Sequence, residues 1–229
     1  MTETKVIKAN ESLFRENERF ANKLRKRFAQ AGVLVLNLVS SPGSGKTTIL
    51  ERTATDLKHE LKMAVIEGDQ QTSRDAERIE KTGIASIQIN TISGCHLDAA
   101  MIVKALEHLD IDNLDVLFIE NVGNLVCPAA FDLGEDCRVL TLSVTEGEDK
   151  PIKYPNMFMS SQLVLLNKRD LCEVLDFQMD ECLGYVRRIN SKAKVFVVSA
   201  RTGEGMDEWY EWLKGSVQAK KARSAQEPA

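Results

Sequence analysis

Residues Val33 to Leu50 read VLVLNLVSSPGSGKTTIL, and they predict the fold class more clearly than any other segment. Apolar and β-branched residues fill its first part as far as Val39, which predicts a buried strand. A glycine-punctuated turn follows, and helix-forming sequence continues from Thr47. A strand, a glycine-rich loop and a helix N-terminus in this order form the layout in which backbone N–H groups bind a polyphosphate. The stretch therefore predicts a phosphate-binding loop in an α/β protein.

The chemistry of this loop follows from its residue types. Lys46 is expected to reach the β- and γ-phosphates, and the Thr47 hydroxyl is expected to coordinate Mg²⁺. The usual pattern begins with a glycine where this chain has Ser40, so the match is to the GSGKT core. A turn that only caps a helix is the alternative, and the preceding strand and following helix speak against it. The predicted phosphate contacts are Gly43, Ser44, Gly45, Lys46, Thr47 and Thr48.

Length, composition and charge bound the remaining possibilities. A chain of 229 residues that is 43% hydrophobic can bury the core of one α/β domain. The net charge of −4 and the lack of a long basic block predict no nucleic-acid partner. No apolar run is long enough to cross a membrane and no secretory leader is visible, so a cytoplasmic location without membrane attachment is expected. Five cysteines argue against a disulfide framework and favour metal ligation or nucleophilic chemistry.

Carboxylates follow two predicted strands. Residues 63–67 form the second predicted strand, and Asp69 comes just after it. Ligands bind at the carboxyl ends of parallel strands, so Asp69 is interpreted as a group that holds the Mg²⁺ shell or orients the attacking water. A simple turn residue remains the alternative, and Asp75 is a weaker second candidate. The fourth predicted strand, 115–119, leads to Glu120 and Gly123, an E-x-x-G element. Glu120 is expected to bind Mg²⁺, and the Gly123 N–H to meet the γ-phosphate.

A base-recognition motif follows the strand predicted at 161–166. Asn167, Lys168 and Asp170 form N-K-x-D. The Asp170 carboxylate can accept hydrogen bonds from guanine N1–H and its exocyclic amine, which adenine does not offer. Ser199 and Ala200 resemble the loop that closes over guanine O6 in GTPases. The motif predicts GTP and GDP as ligands and GTP hydrolysis as the reaction.

Two thiols and an imidazole form a candidate metal site. Cys95 and His96 follow the third predicted strand, 85–89, and Cys127 lies four residues after Gly123. All three follow carboxyl ends of strands, so they are expected at the nucleotide-facing edge of the sheet. This donor set suits a soft or borderline divalent ion such as Ni²⁺ or Zn²⁺. Three ligands leave a position open for water, a partner protein or a second subunit.

The alternation of strands and helices predicts an α/β, three-layer P-loop NTPase fold with a mostly parallel central sheet flanked by helices. Residues 1–31 are predicted to be an N-terminal helix, spanning about Ile7 to Gln30, that packs on the nucleotide-binding domain. Residues 32–218 form the P-loop GTPase domain, and residues 219–229 are predicted to be a disordered tail. Within the domain, 145–161 is predicted to be a loop and 175–189 a helix.

The motifs together resemble a known family. The segments SSPGSGKTT, EGDQQTSRDAERI, GCHLDA, ENVGNLVCPAAFDLGE, EGEDKPIKYP and NKRDL, in this order, are similar to the HypB family of hydrogenase nickel-incorporation GTPases, of the SIMIBI class. The similarity extends from about Asn10 to Leu213, and the family shares Ser40. It implies a cytosolic metallochaperone whose metal site matches Cys95, His96 and Cys127. Many relatives carry an N-terminal C-x-x-C-G-C or histidine-rich nickel motif, and this sequence has neither, so nickel storage is not expected.

The resemblance also implies partners and a switch. The expected partners are a second copy of the chain, in a nucleotide- and metal-dependent homodimer, a HypA-type nickel accessory protein, and the hydrogenase large-subunit precursor. GTP and Mg²⁺ would order the loop before Cys127, and hydrolysis would release the metal. Lys150 and Lys153 either reach nucleotide across the dimer or are solvated. Slow intrinsic turnover is expected because no arginine finger is identifiable in cis. The rival interpretations are an accessory GTPase for urease or a cobalamin-dependent mutase, a small-molecule kinase, and a structural zinc protein.

Overall fold

The structure, a computed structural model, describes residues 11–69, 74–92 and 94–225. Its helices are α1 (Glu11–Ala31), α2 (Lys46–Leu57), α3 (Arg74–Glu80), α4 (Ala99–Ala105), α5 (Lys150–Lys153), α6 (Pro155–Ser160), α7 (Met179–Ile189) and α8 (Met206–Ser224). Its strands are β1 (Leu34–Ser40), β2 (Met63–Asp69), β3 (Ala85–Asn90), β4 (Val116–Glu120), β5 (Cys137–Ser143), β6 (Leu163–Asn167) and β7 (Lys194–Val197). Short 3₁₀ turns include Cys127–Ala130 and Val144–Glu146.

The strands form one parallel sheet in the order β3-β2-β4-β1-β5-β6-β7. β1 lies at its centre, and all seven of its residues are buried, as expected for a strand covered on both faces. The register places Glu120 opposite both Leu38 and Glu67. The carboxyl ends of β1, β2 and β4 therefore meet at one edge, where a ligand can bind. The prediction of a three-layer α/β fold is confirmed.

Helices cover both faces of the sheet. Leu34, Leu36 and Leu38 of β1 pack in a core with residues of α2 and α8, including Trp209. Val35, which points to the opposite face, packs in a second core with residues of α1 and α4. A third core joins β5 and β6 to α6 and α7. Successive side chains of β1 point to opposite faces of the sheet, so this central strand packs against the helices of both outer layers.

The N-terminal helix packs on the domain along one face, and its large apolar residues are buried in its second half. Leu24 and Phe28 are buried, whereas Leu13 and Phe14 are exposed. The helix ends at Gly32, whose φ of 66° is the left-handed conformation of a C-terminal cap. The predicted start near Ile7 lies outside the described residues.

The predicted disordered tail at 219–229 is wrong for its first part, because α8 continues to Ser224. Lys220 is only 7% exposed and makes a 2.6 Å ion pair with Asp136, and Lys221 pairs with Asp115. These two ion pairs hold the last turns of α8 against the residues that immediately precede β4 and β5. Residues 226–229 lie outside the described part of the chain.

Two other boundaries differ from prediction. The predicted loop at 145–161 contains α5 and α6, each with a proline in its first turn, where proline costs no helical hydrogen bond. Helix α7 begins at Met179 and not at Leu175, because Asp176 is in the left-handed conformation, with φ of 49°. In the residues that the structure describes, no helix is long and apolar enough to cross a membrane.

Candidate functional site

The phosphate loop connects the end of β1 to the start of α2. Gly43 and Gly45 have φ of 76° and 95°, which favours glycine at both positions. At Gly45 a side chain would also meet Asn167, whose Nδ2 lies 2.5 Å from an added Cβ. Lys46 Nζ donates a 2.8 Å hydrogen bond to Ser40 Oγ. Ser40, the departure from the usual motif, therefore holds the ammonium group against the loop.

Acidic and hydroxyl groups line the same cavity, which has a volume of about 510 Å³. Thr47 Oγ1 donates to Glu120 Oε1 at 2.7 Å, and both side chains are buried. Asp69 lies at the end of β2 beside them. A hydroxyl and carboxylates are the hard oxygen donors that Mg²⁺ prefers, so the donor set fits that ion. The cavity lining includes Gly43, Gly45, Lys46, Thr47, Thr48, Asp69, Glu120 and Gly123.

Gly123 packs closely against the phosphate loop. An added Cβ would lie 3.1 Å from the Pro42 backbone. A glycine there lets the 120–123 segment approach the place where a terminal phosphate would sit. The predicted E-x-x-G element thus faces the cavity.

Sequence reasoning did not identify Arg78 or Glu146 near this cavity. Arg78 of α3 lines it and donates to Thr48 Oγ1 at 3.1 Å and to Glu51 Oε2 at 2.6 Å. Glu146 Oε1 accepts from Ser44 Oγ at 2.7 Å, and thereby supports the phosphate loop from β5. Glu146 belongs to a capping box with Ser143, so an S-x-x-E pattern after β5 was the signal that could have found it. The side chain of Asp75 lies outside the described part.

The N-K-x-D residues line a second cavity of about 370 Å³, which adjoins the first at Gly45. Asn167 Nδ2 donates to the Ser44 carbonyl at 3.0 Å, and its Oδ1 accepts from Ala200 N at 3.1 Å. Asn167 thus ties the phosphate loop to the segment that carries Ser199. Ser199 Oγ donates to Asp170 Oδ1 at 2.6 Å, which orients that carboxylate.

Lys168 completes the second cavity. Its Nζ donates to the Gly43 carbonyl at 2.7 Å, and its backbone is in the left-handed conformation, with φ of 63°. The two cavities share Gly45, Thr48 and Lys168 in their linings, and together they are called the cleft below.

Cys95, His96 and Cys127 lie together on the same edge of the sheet. Their ligand atoms are all within 4.8 Å of one another, and each residue is half-buried. Two ligand atoms in a tetrahedral zinc thiolate site lie about 3.8 Å apart, so the cluster fits a metal after a displacement of about 1 Å. The hydrogen bond that the Cys95 thiol makes to Cys127 raises the pKa of Cys95, and burial lowers the pKa of His96. A neutral imidazole keeps a lone pair available for a metal.

The segment that carries Cys95 and His96 is hydrogen-bonded to the segment that follows Glu120. Asn121 Oδ1 accepts from Leu97 N at 3.1 Å, and Asn124 Nδ2 donates to the Cys95 carbonyl at 3.3 Å. Leu97 also packs against Gly68, where an added Cβ would lie 2.7 Å from its Cγ. The ends of β2 and β4 both line the phosphate cavity, and both therefore contact the segment that carries Cys95 and His96.

Comparison with known proteins agrees with this arrangement. The family model "CobW/HypB/UreG, nucleotide-binding domain" matches residues 34–197. The hydrogenase maturation factor HypB of Rhizobium leguminosarum bv. viciae is 53% identical over 98% of this chain and 75% of its own length. The chain belongs to the HypB family. A HypB-family protein of Helicobacter pylori strain J99, named a hydrogenase/urease maturation factor, is 40% identical over 91% of this chain and 87% of its own.

A HypB-family structure supports the fold as well. The crystal structure of HypB from Helicobacter pylori in complex with nickel has a TM-score of 0.86 and 39% identity, and the match covers 90% of this chain and 97% of that one.

Lys150 and Lys153 pair within their own chain in this structure. Lys150 Nζ lies 3.6 Å from Glu146 and above the Tyr154 ring, and Lys153 lies 2.6 Å from Asp149. Their contribution to a nucleotide on a second subunit stays a prediction.

Proposed function

We propose that this chain is a metallochaperone GTPase of hydrogenase maturation, which hydrolyses GTP to GDP and phosphate and couples that cycle to the binding and delivery of Ni²⁺. The observation that carries the proposal is the pair of hydrogen bonds from Asn121 and Asn124 to the Cys95–Leu97 segment. They join the end of a nucleotide cleft to a cluster of two thiols and an imidazole. Membership of the HypB family supports the same conclusion.

In this proposal each residue of the cleft has a role. Asp170 accepts from guanine, and Ser199 and Ala200 close that end of the cleft. Lys46 neutralises charge on the β- and γ-phosphates, and Asp69 orients the attacking water or the Mg²⁺ shell. Thr47 and Glu120 would hold Mg²⁺, which would supply charge neutralisation on the phosphate oxygens. Arrangement and electrostatics are the protein's main contributions to phosphoryl transfer.

The switch runs through the segment from Glu120 to Cys127. A γ-phosphate that accepts a hydrogen bond from Gly123 N orders this segment, and Asn121 and Asn124 carry that order to Leu97 and Cys95. Loss of the γ-phosphate relaxes the segment and with it the spacing of Cys127 from the other two ligands. The bound ion is then released. The metal is cargo in this cycle, and Zn²⁺ competes for the same donors.

The three ligands leave one coordination position open, which a second subunit or a partner can fill. The proposed assembly is a homodimer that forms in a nucleotide- and metal-dependent way, with a HypA-type accessory protein and the hydrogenase large-subunit precursor as partners in the cytoplasm. An accessory role toward urease is the second candidate, because a relative at 40% identity is named a hydrogenase/urease maturation factor. Binding of Ni²⁺-loaded protein to each apo-enzyme precursor would separate the two.

The nucleotide half of the proposal is tested by Asp170→Asn. The amide offers a donor where guanine needs an acceptor, and this donor complements the C2 carbonyl of xanthine. We expect hydrolysis of GTP to fall at least a hundredfold and hydrolysis of XTP to appear. If Asp170→Asn hydrolyses GTP like the wild type, the assigned base pocket is wrong. The matched control is Asp180→Asn, in the first turn of α7 and away from the cleft.

A further inference from the structure

The N-terminal helix joins the two segments that carry the metal ligands. Asn17 of α1 is 7% exposed. Its Oδ1 accepts a 2.8 Å hydrogen bond from Ala99 N, three residues after His96. Its Nδ2 donates a 2.9 Å hydrogen bond to the Asp132 carbonyl, five residues after Cys127. One amide side chain therefore connects the backbone that follows His96 to the backbone that follows Cys127.

The backbone N–H of Ala99 needs an acceptor outside its own helix. Ala99 is the first residue of α4, where an N–H has no partner inside the helix. The amide holds its donor nitrogen and its acceptor oxygen at a fixed separation, so it sets the distance between the two segments as well as bonding to both backbone groups.

Other contacts keep α1 in place over the cluster. Gly134 has φ of 78°, and an added Cβ would lie 2.8 Å from the Ala21 carbonyl of α1. Arg25 makes a 2.6 Å ion pair with Asp132. The close approach at Gly134 leaves little room for the helix to shift independently of the 132–134 turn.

An aromatic contact extends from α1 to the imidazole itself. The Phe14 ring lies 5.5 Å from the Phe131 ring, and Phe131 stacks on His96 at 3.9 Å with an interplanar angle of 28°. The stack fixes the plane of the imidazole from the side of the helix. Two independent contacts, one polar and one aromatic, thus relate α1 to the ligand cluster.

We propose that Asn17 is a positioning residue of the metal centre, which sets the separation of Cys127 from Cys95 and His96 and so makes α1 part of the metal site. The inference rests on the proposed metal-binding function. The ligand atoms lie within 4.8 Å, close to but wider than a tetrahedral set, so a loosened bridge between the segments reduces the fraction of molecules that can close on an ion. Asn17 touches no ligand atom and acts through the backbone.

The test compares the Ni²⁺ affinities of four proteins: the wild type, Asn17→Ala, Asn17→Asp and Asn22→Ala. Each is measured as the GDP-bound full chain, by competition with a chromophoric chelator. Asn22 lies on the exposed side of the same helix, where it accepts from Arg25, and is the matched control. We expect Asn17→Ala to bind Ni²⁺ at least tenfold more weakly, with a weaker thiolate-to-cobalt absorption band in the Co²⁺ form, and Asn22→Ala to bind within twofold of the wild type. GDP affinity should be unchanged in all variants.

Asn17→Asp keeps the side-chain shape and the oxygen that accepts from Ala99, and removes the donor to Asp132. It decides the question if Asn17→Ala does not fold, and we expect it to weaken Ni²⁺ binding severalfold. Wild-type affinity in either folded Asn17 variant would overturn the role of Asn17, as would a parallel loss of GDP affinity. A Cys127→Ser variant that binds Ni²⁺ as the wild type does would instead overturn the metal site itself, and with it this inference.

Discussion

Asn121 is the residue through which nucleotide and metal binding are expected to communicate. It is 1% exposed, and its Oδ1 accepts from both Leu97 N and Val122 N, at 3.1 and 3.0 Å. Its Nδ2 donates to Asn37 Oδ1 at 3.3 Å. Asn121→Ala removes all three hydrogen bonds at a site that water does not reach.

The cost of this substitution can be worked from the groups it leaves behind. Two backbone N–H groups lose their acceptor, and each unsatisfied buried group costs about 1–3 kcal/mol. Local relaxation recovers part of this, so we expect the free energy of unfolding to fall by about 3 kcal/mol. In a domain of this size that corresponds to a decrease in Tm of roughly 6–12 °C.

Two assays check the prediction. Urea denaturation should show the loss of stability, and metal competition with GDP and with a non-hydrolysable GTP analogue should show that the two nucleotides no longer give different Ni²⁺ affinities. Asn113→Ala, at an exposed asparagine whose side chain donates to Asp110, is the matched control and should change neither quantity. The proposed role of Asn121 is refuted if the free energy of unfolding of Asn121→Ala lies within about 0.5 kcal/mol of the wild-type value, the range typical of surface substitutions. It is also refuted if the variant keeps the full difference in Ni²⁺ affinity between the two nucleotides.

Three further predictions concern reactivity and stability. Burial raises the pKa of the Cys137 and Cys182 thiols from 9.0 to about 12, so about one molecule in ten thousand carries a thiolate at pH 8. Iodoacetamide should therefore label the more exposed Cys172 much faster than either of these thiols. Equal labelling rates in the folded protein would contradict this prediction. The same raised pKa means that the folded state loses stability relative to the unfolded chain between pH 9 and 12, which denaturation at stepped pH should show. Lys220→Ala should lower the free energy of unfolding by about 2 kcal/mol, which is less than for a fully buried pair because Asp136 stays partly exposed. Urea denaturation measures this change. An unchanged midpoint would show that the ion pair does not hold the end of α8.

The sequence was most informative where chemistry depends on neighbours along the chain. The phosphate loop, E-x-x-G and N-K-x-D are local patterns, and the parallel-sheet rule was enough to place them at one edge. The same rule predicted that Cys127 would lie near Cys95 and His96, and the structure places them together. Their role as metal ligands stays a prediction.

The sequence was least informative where a side chain serves a distant backbone. Asn17 and Asn121 bind N–H groups 82 and 24 residues away, and no local pattern marks a buried asparagine of this kind. The helical end of α8 was missed for a related reason. From the sequence alone, Lys220 belongs to a basic tail that is expected to be solvated, and only the folded structure places Asp136 beside it.

The central claim is that the nucleotide controls the metal site. Its most direct test is Ni²⁺ affinity and oligomeric state measured side by side with GDP and with a non-hydrolysable GTP analogue. Coupling free energies between two sites are typically about 1–3 kcal/mol, so we expect the two nucleotides to give Ni²⁺ affinities that differ by about 5-fold or more, together with a shift in the dimer population. Equal affinities and the same oligomeric state in both nucleotides would contradict the account.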